Sequence, residues 1–382
     1  MPHVSRRQYI KSVGVASSVV ALAGCSGGDG GGGEGDGSSG DGNSGGSQDG
    51  TSTSGAGGNT YKMDVATAYK IGTTKEYPVM QQAFKKNVEE ASDGQIEVKL
   101  HPNGVLGAGT QLAEKVQSGT VQAAQFSFSN FSPYASAVDL VNLPYFAGNN
   151  QQFVNLVTSD TWETNVHEKV RSNGFEPLFY LVIDPRALGV GKGAGQVMTP
   201  SDMKGYKHRI PGSQILEEAW KMAGANPTPI AWGETPSAIE EGVADSLHVS
   251  IEAFVTFGFT DLVSHITRIN MVEDAQVYAM NKQWYDDLPS NLQSSVDEAA
   301  DKTFRQNLKQ VPKSRENSMA KLEEAGVKVH DPSDSQLQEW KDTVGYQRSE
   351  WDSWKKELAG DMETFKQLEK ATTQQSEFEV PN

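Results

Sequence analysis

The chain has 382 residues, 33 basic against 49 acidic side chains for a formal net charge of −16, 39 Gly and a single Cys. A chain this acidic repels phosphate backbones and has no broad basic surface with which to release counterions, so nucleic acid is not an expected partner. One Cys forms neither an internal disulfide nor a Cys-based zinc site, and the length allows one large domain or two of ordinary size.

At the amino terminus Ser5-Arg6-Arg7 precedes an apolar run, Val13 to Ala23, that stops at Gly24-Cys25. Eleven residues are too few to span a bilayer as a helix, which takes about 20, so the run reads as the apolar region of an export signal. The twin arginines resemble a Tat signal, and Leu22-Ala23-Gly24-Cys25 resembles a lipobox, in which cleavage precedes the Cys and its thiol is acylated. Residues 1–25 are therefore expected to be a Tat-type lipoprotein signal, with Cys25 the lipidation site. Residues 26–59 hold 16 Gly and five acidic residues, with no basic or aromatic one. Such a stretch cannot bury enough apolar surface to offset its ordering entropy. It is expected to be a flexible tether reaching roughly 30 Å. With the signal removed, 30 basic side chains face 49 acidic ones, a net charge of −19.

From Tyr61 onward strands and helices alternate. Met80, Phe84 and Val88 form the stripe of an amphipathic helix that Asp93-Gly94 ends. Ile96, Val98 and Leu100 alternate as a strand; Thr110 to Ser118 reads as a helix and Val121 to Phe128 as a strand. One helix is expected over about Gln151 to Ser172, followed by a continuous apolar strand, Leu178 to Ile183, of the buried, parallel kind. Ser213 is placed to cap a helix ended by Gly224, and Thr235-Pro236 to open another closed by Gly242. The alternation predicts parallel sheets with helices on both faces, and 323 residues from Thr60 to Asn382 predict two lobes.

Six segments stand in order along this region: Gly94-Gln-Ile-Glu-Val-Lys-Leu, His101-Pro-Asn-Gly-Val-Leu-Gly, Leu143-Pro-Tyr-Phe, Pro200 through Pro211, Gly224-Ala-Asn-Pro-Thr-Pro-Ile, and Glu234 through Asp245. Together they resemble the extracytoplasmic solute-binding proteins of TRAP transporters, the dicarboxylate-binding (DctP-like) family, over nearly all of Tyr61 to about Pro332. The resemblance implies an α/β, two-lobe periplasmic-binding-protein-like fold with an interlobe cleft that closes about a hinge, here with extra C-terminal helices. Lobe 1 is expected at about 60–183 plus a later return segment, lobe 2 at about 184–280, and C-terminal helices at about 284–375. It also implies a partner, a set of integral membrane permease subunits driven by an ion gradient, and a protein held at the cell surface by its lipid anchor.

A small organic anion captured by a chain of charge −19 needs a local positive centre. Arginine suits this, because its planar guanidinium makes two parallel charge-assisted hydrogen bonds to a carboxylate. Arg186 and Arg209 sit at or directly after strands, beside Pro185 and Pro211, where ligands of α/β sheets bind. By the resemblance, Arg209 in His-Arg-Ile-Pro matches the arginine with which the family clamps the substrate carboxylate, and Arg186 matches a second arginine seen in many members. The Asp-Pro-Arg-Ala context of Arg186 departs from the usual one, and Asp184 is placed to pair with it. Val249 stands where the family often has Asn; His248 is either a substitute polar contact or a hydrogen-bonded structural residue. Ser127 and Asn130 supply hydrogen bonds from the first lobe or cap loops, and Phe128, Tyr69 and Trp232 line an apolar wall or belong to the core.

Catalytic signatures are missing: there is no His-Glu-x-x-His, no Gly-x-Ser-x-Gly and no Walker lysine followed by Ser or Thr. Gly189 to Gly195 looks like a phosphate cradle but lacks the dinucleotide spacing and reads as a flexible loop between lobes. No metal and no cofactor are implied, and the chain is not expected to be an enzyme. A receptor for an ABC importer and a ligand-sensing lipoprotein are other readings of the same fold. Beyond Asp334, Trp340, Trp351, Trp354, Leu358 and Phe365 mark amphipathic helices that either brace the lobes or make a homodimer.

Overall fold

The computed structural model describes residues 60–70 and 80–381. The expected export signal, Cys25 and the tether lie outside them. Eleven strands are described in chain order: β1 Tyr61–Thr67, β2 Ile96–His101, β3 Ala123–Ser127, β4 Phe175–Leu181, β5 Ala187–Gly191, β6 Lys207–Ile210, β7 Asn226–Pro229, β8 Ser246–Val249, β9 Val263–Thr267, β10 Gln276–Asn281 and β11 Lys328–His330. They form two sheets, one in the order β2-β1-β3-β10-β4 and the other β11-β9-β5-β8-β6-β7. The two sheets are the cores of two lobes.

Local signals place most helices well. Phe84 and Val88 are fully buried on Gln81–Ala91, and the chain leaves that helix through Asp93 and Gly94, both at positive φ. Ser213 Oγ accepts the Leu216 N–H at 3.3 Å and so opens Gln214–Met222. The single helix expected over 151–172 is instead interrupted. Asn150–Val157 ends at Thr158, Ser159 caps a new start by accepting the Trp162 N–H at 3.1 Å, and a π-type turn, Glu163–His167, leads into Glu168–Ser172.

Strand direction departs from expectation. Both sheets are mixed: β1 is parallel to β2 and β3, and β6 to β7 and β8, but β10 is antiparallel to β3 and β4 while β5 is antiparallel to β8 and β9. β4 is thus not a parallel strand. All seven of its residues are buried, so its continuous apolar run reports two covered faces and not a direction. The segment Gly189–Gly195 is not an interlobe loop either, because Gly189 and Gly191 lie inside β5, an interior strand of the second sheet. A Cβ at Gly189 would overlap the Phe254 ring, and that close approach requires glycine. β7, which carries Pro227 and Pro229, is an edge strand, where missing N–H groups cost no ladder bond.

The chain passes from the first sheet to the second between β4 and β5 and returns between β9 and β10. β10, within the span 184–280 expected for the second lobe, is therefore part of the first sheet, and β11 joins the second. The crossovers run side by side: Arg186 N donates to Val272 O at 2.7 Å, Asp274 N to Asp184 O at 3.2 Å, and Pro185 bridges Glu273. The helix Ser290–Glu324, 35 residues long, touches helix Gln81–Ala91 and β4 of the first lobe and helix Ile251–Thr256 of the second. Helix Asp334–Val344 packs on Gln214–Met222 in the second lobe, and Met362–Thr373 on Asn150–Val157 in the first. Trp340 and Phe365 on these two helices are buried, as are Trp351 and Leu358 in the segment between them. No helix among the described residues is long and apolar enough to cross a membrane.

Candidate functional site

A cavity of about 560 Å³ lies between the lobes. Its walls are the carboxyl ends of β1, β3, β6, β7 and β8 and the amino ends of the antiparallel β5 and β10. This is where strand-end loops leave backbone and side chains free to meet a ligand. Arg186, Arg209, Ser127, Asn130, Trp232 and Tyr69 all line it. Phe128 does not: it is buried in the first lobe among Phe131, Trp162 and Tyr180, an aromatic cluster that gains more from its rings than a polar cleft would. His248 does not line the cavity either; it lies behind Arg186, 1% exposed.

Arg209 leaves β6 beside the end of β7. Its Nε and Nη2 both donate to the Ile230 carbonyl, at 3.1 and 2.9 Å, and its guanidinium lies 5.3 Å from the centre of the Trp232 ring. No acidic side chain pairs with it among the described residues. Burial, and then repulsion from Arg186, push its pKa down to about 9, so it keeps its charge at neutral pH. Its backbone-facing edge is thereby anchored, and Nη1 has no protein partner among the described residues.

Arg186 is differently placed. Its Nε donates to Asp274 Oδ1 at 3.1 Å, and Asp274 Oδ2 accepts the Ser250 N–H at 2.9 Å. Asp184, the acid expected beside Arg186, instead takes two hydrogen bonds of 2.7 Å from Arg315 and one of 2.9 Å from Asn150. Arg186 Nη1 donates to His248 Nε2 at 3.3 Å, His248 Nδ1 lies 2.8 Å from His208 Nε2, and His208 Nδ1 lies 2.8 Å from Ser246 Oγ. A guanidinium only donates, so His248 Nε2 accepts, and each neutral ring carries its proton on Nδ1 for the next member. Burial foremost, and then the neighbouring arginines, hold both histidines well below their usual pKa. His248 is thus a positioning residue for Arg186.

The first lobe contributes a polar network that sequence reasoning missed. Gln125 Oε1 takes hydrogen bonds from Gln81 Nε2 at 2.8 Å, Tyr278 OH at 3.0 Å and Thr67 Oγ1 at 3.2 Å, and Gln125 Nε2 is buried with no partner among the described residues. Tyr69 OH donates to Gln276 Oε1 at 2.8 Å. Gln125, Gln276 and Asp274 all line the cleft. One signal was legible: Gln125 is the only amide in the buried run Ala-Ala-Gln-Phe of β3. Phe257, also missed, bridges Tyr69 and Trp232 with ring centres 5.0 Å from each, so aromatic contact already spans the two lobes. Val249, at the expected Asn position, is part of the wall. No group of three or more metal-ligating side chains occurs among the described residues.

Comparison with known proteins agrees with this architecture. The 2,3-diketo-L-gulonate-binding periplasmic protein of Escherichia coli is 22% identical over 261 residues, 68% of this chain and 79% of its own. The C4-dicarboxylate-binding periplasmic protein of Vibrio cholerae is 20% identical over 294 residues, 76% of this chain and 86% of its own. A TRAP periplasmic solute-binding protein of Chromohalobacter salexigens, solved with bound D-glucuronate, superposes with a TM-score of 0.74 at 19% identity, covering 81% of this chain and 99% of that one. Residues 72–353 match the family described as bacterial extracellular solute-binding protein, family 7 (DctP), and the chain belongs to that family.

Proposed function

We propose that the cleft captures a small organic anion by its carboxylate, with Arg209 as the principal clamp, and that the closed protein delivers it to the membrane permease subunits of a TRAP-type transporter. One observation carries this: Arg209 is 4% exposed, faces the cavity and has no acidic partner among the described residues. A buried charge without a counter-ion is costly, and a carboxylate ligand supplies the counter-ion. The acids named for the relatives support the reading. Closure about the paired crossovers, residues 184–186 beside 272–274, would desolvate the ligand and strengthen the contact.

The test is calorimetric titration of keto acids, dicarboxylates and sugar acids at high salt. Ligands that bind the native chain should lose about a hundredfold in affinity on Arg209→Ala, as expected for one side of a buried charge pair. A carboxylate that binds the variant as tightly as the native chain refutes the clamp. The same reading has the chain exported and held by an acylated Cys25 on the 26–59 tether. Cys25→Ser should release the protein from the membrane fraction, and retention of the variant there would sink the anchor.

A further inference from the structure

A second cavity, of about 530 Å³, also borders the crossovers. Asp184 and Pro185 of the first crossover line it, with Gln151 from helix Asn150–Val157 in the first lobe, Ile251 from helix Ile251–Thr256 in the second, and Arg315 from the long helix. It has no lining residue in common with the ligand cleft, so the two cavities lie on different sides of the hinge. Each has walls from both lobes. A rotation about the crossovers that widens the cleft therefore narrows the cavity behind it, and closure of the cleft does the reverse.

The last described residues, Val380 and Pro381, are part of the rear cavity's wall. A chain end stays loose unless something ties it down, and this one is tied along its length. Ser376 Oγ lies 2.8 Å from Thr158 Oγ1. Gln151 grips the backbone on both sides of Glu379: its Nε2 donates to Phe378 O at 3.0 Å and its Oε1 accepts the Val380 N–H at 2.8 Å. The buried Phe378 ring packs 5.0 Å from the Phe304 ring, and the Arg305 guanidinium lies 4.2 Å from its centre. Arg305 also pairs with Glu377 at 3.4 Å. These ties run to the first lobe and to the long helix, whereas Val380 and Pro381 share the cavity with Ile251 and Arg268 of the second lobe. When the cleft opens, the second lobe's wall moves toward a segment that is braced from behind.

We propose that residues 376–381 form a strap behind the hinge that limits how far the ligand cleft gapes at rest. The step rests on the hinge closure proposed above and not on the Arg209 clamp. By keeping widely open states out of the resting ensemble, the strap leaves less of a ligand's binding energy to be spent on closure. Cys25 is the only thiol, so a full chain carrying Cys25→Ser can take a pair of spin labels across the cleft. Val105→Cys, in the loop after β2, and Gln214→Cys, at the start of the helix after β6, are both at exposed positions. Pulsed electron paramagnetic resonance without ligand then reads the opening as a distance. Val380→Gly together with Pro381→Gly keeps the Phe378 and Gln151 ties but thins the part inside the cavity, and should move the distance distribution several ångströms longer. Phe378→Ala, which unpins the strap from the long helix, should lengthen it too. An unchanged or shorter distance in the glycine pair overturns the strap. Lengthening in Phe378→Ala alone overturns it as well, because the opening would then trace to the packing of the long helix. Either result leaves the Arg209 clamp to its own titration.

Discussion

Arg186 and Arg209 are the same residue type in one cleft, and their surroundings give them different work. Arg209 is braced by a carbonyl and by the Trp232 face, with its charge unmatched. Arg186 is matched by Asp274 and oriented by a neutral imidazole. The distinction in charge rests on Asp274, and the orientation of Arg186 on His248, whose lone pair at Nε2 exists only while the ring is neutral. His248→Leu should leave an Arg186 N–H and the His208 acceptor unsatisfied, costing about 1–3 kcal/mol of stability. Urea denaturation checks this. A variant as stable as the native chain would show the hydrogen-bond chain to be incidental.

At the scale of elements, the long helix Ser290–Glu324 reaches across the crossover. Asn307 on this helix accepts the Val182 N–H at Oδ1 and donates from Nδ2 to the Val182 carbonyl, each at 2.8 Å. The side chain thereby stands in for a neighbouring strand at the point where β4 ends and the chain leaves its sheet. Asn307→Leu should orphan a buried backbone donor and acceptor and destabilise the protein by about 2–4 kcal/mol. Native-state hydrogen exchange should show the loss at Val182 before it reaches the middle of β4. Uniformly raised exchange across the first lobe would argue against a local clamp.

Over the whole molecule, the hinge concentrates carboxyl groups that the net charge alone would not reveal. Glu252 and Glu273 are buried beside Asp184; Glu252 shares a side-chain hydrogen bond with Asp184, and the Glu273 carboxyl oxygens have no hydrogen-bond partner among the described residues. Burial, and then the Asp184 charge, raise both pKa values well above the usual 4.5. An acid raised in the folded state keeps its proton where the unfolded chain has lost it. Its contribution is therefore full below the unfolded pKa and is lost as pH rises through the folded value. Glu163 has the opposite sign: burial opposes its ionisation, but His167 and Arg171 outweigh burial and lower its pKa, so its contribution is lost as pH falls below the ordinary carboxyl range. Below pH 7 the buried neutral His208 and His248 oppose the effect of the raised acids, because the unfolded rings take up protons that the folded ones refuse. Melting temperature measured from pH 7 to pH 9 should therefore fall toward the alkaline end, and Glu273→Gln should flatten that fall. An unchanged slope in the variant would remove Glu273 from the account.

What the sequence by itself determined lies within a few residues of chain. The Phe84 and Val88 stripe, the Ser213 cap and the Gly224 and Gly242 stops depend on periodicity and on backbone groups three or four positions away, so they were legible without tertiary contacts. The strand-end positions of Arg186 and Arg209 were legible for the same reason; the role proposed for them comes from the family resemblance. Tertiary structure decided the direction of β4, because β10 returns from the other lobe to pair with it. It also decided that Arg186 pairs with Asp274, 88 positions away, and that Asp184 pairs with Arg315, 131 positions away. The orientation of Gln125 belongs here too, since Tyr278 reaches it from 153 residues further on. An ion pair or an amide orientation is a choice among partners of similar chemistry. Local propensity does not rank those partners; the crossovers do, by bringing one of them within hydrogen-bond reach.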